Sequence, residues 1–96
     1  MKVRFAPAAI PDLQAVRSHI GIDDPGAARR VAERIEKTIR LIAAKPGIGR
    51  PIGEGDVRQW PVPGLPYVIP YRVVGETLEV LRAYHMKRHR PDDWLR

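Results

Sequence analysis

The 96-residue chain contains no cysteine, which excludes a disulfide framework, cysteine-ligated zinc, iron–sulfur centres and any thiolate nucleophile. Aromatic residues are scarce at 6%. Trp60 and Tyr71 lie in strand-like segments and read as sheet packing rather than as stacking platforms. No apolar run approaches the ~20 residues needed to cross a bilayer, and Met1 to Pro11 lacks the apolar stretch of a signal peptide. The expected compartment is the cytoplasm, with no membrane partner. Internal repeats and low-complexity tracts are absent. Acidic residues are outnumbered 11 to 17, for a net charge of +6, which favours a polyanionic or acidic partner. Composition is otherwise ordinary: 44% hydrophobic and 29% charged residues suit a soluble globular chain and are too apolar for disorder. This length implies one domain over residues 1–96 with a single thin core and a basic tail from residue 86.

Lys2 to Phe5 alternates polar and apolar residues before Ala6-Pro7, which predicts a short strand. Ile10, Leu13, Val16 and Ile20 then recur at helical spacing. Pro7 and Pro11 each suit a first turn, and Gly21 is a stop. Asp24-Pro25 signals a second helix through an N-cap acid followed by proline at the first helical position. Ala28, Val31, Ala32, Ile35, Ile39 and Ile42 make its apolar stripe, and Lys45-Pro46-Gly47 ends it. Gly47 to Asp56 reads as a loop.

Beyond it the period changes to two over Val57 to Val62, Tyr67 to Val74 and Thr77 to His85. Gly75-Glu76 predicts a two-residue hairpin turn, and counting outward pairs Val73 with Leu78, Arg72 with Glu79 and Tyr71 with Val80. Pro70 has no amide to give the ladder, so a bulge or a missing hydrogen bond is expected there. The order is β-α-α-β-β-β. The expected fold class is α+β: an αα-hairpin packed on one face of a small, mainly antiparallel sheet.

The segments Arg58-Gln59-Trp60-Pro61-Val62, Leu65 to Val73 and Glu76 to His85, in this order and in a basic chain, resemble the ParE/RelE toxin superfamily of bacterial type II toxin–antitoxin modules. Pro7…Asp12-Leu13 and Lys45 to Arg50 extend the resemblance over essentially the whole chain. The resemblance implies a toxin neutralised by a cognate acidic antitoxin. RelE-like members cut messenger RNA in the ribosome and usually carry an arginine early in the third strand, whereas ParE-like members poison DNA gyrase. Here Pro66-Tyr67-Val68-Ile69 holds no arginine before Arg72, and Tyr67-Val68-Ile69 followed by Tyr71-Arg72-Val73 is closer to the ParE branch. The preferred expectation is therefore gyrase inhibition by binding, without catalysis. A RelE-like endoribonuclease is the alternative, and a non-toxic basic binding or co-repressor module is a third reading.

RNA cleavage needs a base, an acid and cations on the phosphoryl oxygens. The candidates are Arg82, His85, Lys87 and Arg88, although strand alternation puts Arg82 and His85 on opposite faces unless a bulge intervenes. For partner binding the candidates are Arg29, Arg30 and Arg34 on the second helix, with Lys87, Arg88, Arg90 and Trp94 in the tail. Trp94 either docks back on the domain or joins the partner surface. Neither a helix-turn-helix nor a nucleotide-binding fingerprint is present, so no direct sequence-specific DNA binding is expected. His19, His85 and His89 lack firm acidic companions, so neither metal nor cofactor is expected.

Overall fold

The computed structural model describes residues 1–21, 24–53 and 55–86. In chain order these form β1 (Lys2–Phe5), α1 (Ala9–Gly21), α2 (Pro25–Ala44), a 3₁₀ turn (Pro46–Ile48), β2 (Arg50–Pro51), β3 (Arg58–Pro61), β4 (Tyr67–Val74), β5 (Thr77–Val80) and β6 (Tyr84–His85). The sheet runs β1-β5-β4-β3-β2, with β6 pairing β4 as well. Only β1 and β5 pair in parallel among the described strands. The expected α+β order is present, with two short strands added to it. β2 arises inside the glycine-rich segment read as loop, where Arg50 and Pro51 pair with Gln59 and Arg58. The long last strand is interrupted after Val80 and resumes at Tyr84.

Local chemistry explains the helix ends. Pro11 is the third residue of α1, among the first four positions whose amides have no intrahelical acceptor, so its missing N–H costs little. Asp24 is extended (φ −153°, ψ 95°) and its carboxylate accepts from the Ala27 amide at 3.0 Å, with Pro25 opening the helix. At the far end the Lys45 amide donates to the Leu41 and Ile42 carbonyls. Asp24→Ala should cost about 1 kcal/mol and lower the thermal midpoint by roughly 4–8 °C, measured by a circular-dichroism melt.

Val16 of α1 and Ile35, Ile39 and Ile42 of α2 meet Ile69, Tyr71, Leu78 and Val80 of the sheet in one buried cluster. Thr38 shares the buried stripe of α2 because its hydroxyl turns back to donate to the Arg34 carbonyl at 2.8 Å. The hairpin has the register obtained by counting: Val74 opposite Thr77, Val73 opposite Leu78, Arg72 opposite Glu79 and Tyr71 opposite Val80. Gly75 supplies the positive φ (62°) that the turn requires. Pro70 has the consequence its chemistry demands. The Leu81 amide donates to the Pro70 carbonyl at 2.9 Å, the return bond cannot form, and regular β5 stops at the preceding residue.

Candidate functional site

The final strand decides where the candidate residues point. Val80 is opposite Tyr71, and the pairing resumes with Tyr84 opposite Val68 and His85 opposite Tyr67. Ile69 and Pro70 thus face Leu81, Arg82 and Ala83, which is one residue too many and therefore a bulge. The bulge inverts the alternation beyond it. Tyr84 turns to the sheet face away from the helices, where its hydroxyl meets Gln59 Oε1 at 3.1 Å. His85 turns to the side of Tyr67, the rings meeting edge to face with centroids 5.5 Å apart. Arg82 also lies on the helix side, bonded to Asp12 of α1, so simple alternation fails here and Arg82 and His85, two of the four nuclease candidates, share a side.

Arg82 is committed to a protein carboxylate. Its Nε and Nη2 donate to Asp12 of α1 at 2.6 and 3.1 Å, and the Ala83 amide donates to the same carboxylate at 3.1 Å. Both side chains are largely buried, at 20% and 17% exposure. Lys87, Arg88, Arg90 and Trp94 lie outside the described residues. The described residues contain no group of three or more side chains able to hold a metal ion, and no helix among them is long and apolar enough to cross a membrane.

Three further surfaces carry exposed or charged side chains. On the helix side, β1 and the two helices enclose an apolar groove of about 360 Å³. Val3 and Phe5 stand 40% and 39% exposed along it, Leu13, Ala32 and Ile35 form its walls, and Arg17 and Arg40 are at its margin. Glu36 holds Arg40 at 3.3 Å. On α2, Arg29 and Arg30 are exposed, with Arg30 3.9 Å from the capping Asp24. Arg34, one turn further, donates instead to the Pro63 carbonyl at 3.1 Å and fastens the β3–β4 turn to the helix. The three arginines read from the sequence as one patch therefore do different things.

On the opposite face of the sheet, Glu79 joins three strands. Arg4 of β1 donates through Nε and Nη2 at 3.1 and 2.6 Å, and Arg72 of β4 through Nε at 2.7 Å. The bond from Arg72, reinforced by that from Arg4, holds the Glu79 carboxyl below its ordinary range against the opposing effect of burial. The arginines are half exposed, so water screens much of this attraction, and Glu79→Gln should cost only about 1 kcal/mol at neutral pH. A carboxyl whose pKa is depressed on folding stabilises the fold above its unfolded value, roughly 4.3, and loses that contribution as pH falls through the folded value. Urea unfolding from pH 7 to pH 3 should show the wild-type advantage over Glu79→Gln shrinking below about pH 4.5.

In the middle of β4, the buried Tyr71 hydroxyl donates to the Pro46 carbonyl at 2.7 Å and accepts from the Gly49 amide at 2.8 Å. Arg58 donates to the Gly49 carbonyl at 2.8 Å. Burial raises the Tyr71 hydroxyl pKa, with the Gly49 bond and the Arg58 charge working against it. This knot pins the segment between α2 and β3.

Asp12, Arg4 and Gly49 were not among the residues singled out for site roles in the sequence. Asp12 carried a weak signal, as an acid in the first turn of a helix, but its partners are 70 and 71 residues away.

Residues 3–90 match the family described as ParE toxin of type II toxin-antitoxin system, parDE. The chain is 32% identical over 90 residues to a protein of Sinorhizobium fredii named toxin Y4kP, covering 94% of this chain and 93% of that one. It is 35% identical over 80 residues to toxin RelE2 of Caulobacter vibrioides, covering 83% and 89%. A solved structure titled chromosomal ParDE TA system from P. aeruginosa superposes with a TM-score of 0.79 at 26% identity, covering 91% of this chain and 97% of that one. With near-complete coverage in sequence and in fold, the chain belongs to the ParE toxin family of type II toxin–antitoxin systems.

Proposed function

We propose that this toxin arrests growth by binding DNA gyrase rather than by catalysis, and that an acidic antitoxin neutralises it. The observation that carries the reading is the Asp12–Arg82 pair. Arg82, one of the four candidate nuclease residues, is bound by a carboxylate of its own chain at 2.6 Å, which opposes its use on a scissile phosphate. The stretch Pro66 to Ile69, where the RelE-like pattern has an arginine, supports the same reading. The apolar groove beside β1 suits the amphipathic segment of an acidic partner. Val3 and Phe5 offer area to cover, while Arg17 and the net charge of +6 offer attraction. Purified toxin should inhibit gyrase supercoiling or accumulate cleaved gyrase–DNA complexes. Absence of both effects at growth-arresting concentrations would refute the gyrase reading.

One observation favours a second reading, a RelE-like endoribonuclease: the bulge brings Arg82 and His85 to the same side of the sheet. Sequencing of RNA ends during growth arrest separates the two. Codon-phased cuts that vanish in His85→Ala would favour the nuclease, and intact transcripts would dismiss it.

A further inference from the structure

We propose that Asp12 is a positioning residue whose carboxylate selects the bulged register of the final strand, and so decides which face of the sheet carries Tyr84 and which carries His85. The proposal deepens the function proposed above and depends on it only for the growth readout.

Two registers are open to the segment after Val80. In the straight one, Arg82 would oppose Ile69, Ala83 would oppose Val68 and Tyr84 would oppose Tyr67. In the observed one, Tyr84 opposes Val68 and His85 opposes Tyr67, and the Met86 amide continues the pairing to the Pro66 carbonyl at 2.8 Å. The registers differ by one residue, so each side chain of β6 changes face between them.

The ladder is already weak at this point, because Pro70 cannot return the hydrogen bond that Leu81 gives it. Bulging turns the Ala83 amide away from β4, and Ala83 is only 3% exposed. A buried amide without an acceptor is costly, and Asp12 Oδ2 is that acceptor at 3.1 Å. The two bonds from Arg82 to the same carboxylate fix the residue on the other side of the bulge. Removing the carboxylate takes both of those bonds away and leaves the Ala83 amide short of an acceptor in the bulged register. The straight register needs no acceptor from α1. Asp12 thus acts on the face of the sheet that β6 presents, through residues 82 and 83, without itself touching a target.

This makes a rescue possible. Deleting Ala83 removes the extra residue, and a straight ladder then places Arg82 opposite Ile69, Tyr84 opposite Val68 and His85 opposite Tyr67. The faces are those of the wild type, but Asp12 is no longer needed to hold them.

The experiment compares wild type, Asp12→Ala, Asp12→Asn and Asp12→Ala combined with deletion of Ala83, each as the full chain. Nuclear Overhauser contacts between the His85 and Tyr67 rings and between Tyr84 and Gln59 report the register, and growth on expression reports toxicity. Asp12→Ala should lose both contacts and arrest of growth. Asp12→Asn keeps one carbonyl oxygen for the Ala83 amide and should retain part of each. The combined variant should regain the contacts and the arrest, which a residue that merely anchors α1 would not allow. If Asp12→Ala does not fold, Asp12→Asn carries the same comparison against its own Ala83 deletion. Contacts that persist in Asp12→Ala, or that the deletion fails to restore, would overturn the proposal. So would growth arrest that stays at the wild-type level while the contacts are lost and regained. A wild-type chain that does not arrest growth removes the proposed function and leaves the register test standing on its nuclear Overhauser contacts.

Discussion

Replacing Lys87, Arg88 and Arg90 together by serine is expected to abolish growth inhibition while leaving the thermal midpoint within about 5 °C of the wild type. The three residues come shortly after the final strand in sequence and hold half of the net charge, which falls from +6 to +3 when all three are removed (6 − 3 = 3). Lysine and arginine are almost never fully buried without a partner, so their loss bears on charge far more than on the core. Antitoxin binding should survive, weakened through a slower association rate. Expression of the variant without its partner, beside a thermal melt, gives the result. A folded triple variant that is still fully toxic would move the functional surface elsewhere, first to the segment Gly47 to Asp56.

The largest expected effect on stability comes from that same segment. Gly49→Ala should destabilise the fold by about 3 kcal/mol, lowering the midpoint by roughly 12–24 °C. The reason is space, since Gly49 has ordinary extended dihedrals (φ −71°, ψ 152°). A methyl group there would run into the Tyr71 hydroxyl and come within 2.7 and 2.8 Å of its ring carbons Cε1 and Cζ. Tyr71 is fully buried in the core cluster and has nowhere to retreat. Relieving the overlap means breaking the hydroxyl's bonds to Gly49 and Pro46 or displacing the ring. Tyr71→Phe should cost about 1–3 kcal/mol by leaving those two backbone groups unpaired. Because both changes break the same knot, the double variant should lose less than the sum of the two. A Gly49→Ala midpoint within about 2 °C of the wild type would show that the segment is not pinned by Tyr71.

How much of this could be read from the residues depends on the distance over which each feature is specified. The second helix was legible in full, because Asp24-Pro25, the apolar stripe and Lys45-Pro46 all act within one or two turns. The β4–β5 register was legible because a two-residue turn dictates it. For the same reason the Arg72–Glu79 pair could be read by counting. Arg4, the second partner of that carboxylate, could not. It arrives through a parallel pairing between segments 75 residues apart, which leaves no local pattern. β2 escaped because a two-residue strand in a glycine-rich stretch has no period to detect. The bulge was legible from Pro70, which has no amide for the ladder, and as the condition under which Arg82 and His85 could share a face. What selects it is Asp12, 70 residues upstream of Arg82 and indistinguishable in sequence from an acid complementing a helix dipole. Arg34 stands in the sequence as one of three partner-binding candidates on the second helix, and nothing local signals that its acceptor is a carbonyl in a distant turn.

The parallel pairing of β1 with β5 also sets a timetable for synthesis. Residues 2–5 find their partners only when residues 77–80 have been made, so the first strand waits while nearly the whole chain is translated. Meanwhile α1 and α2 can form, with the apolar stripe of α2 still lacking the sheet that will cover it. The nascent toxin therefore passes through a period in which its sheet is incomplete and its apolar helix face is open. On the function proposed above, an antitoxin that docks in the groove between β1 and the helices would meet its helical wall before the sheet is complete.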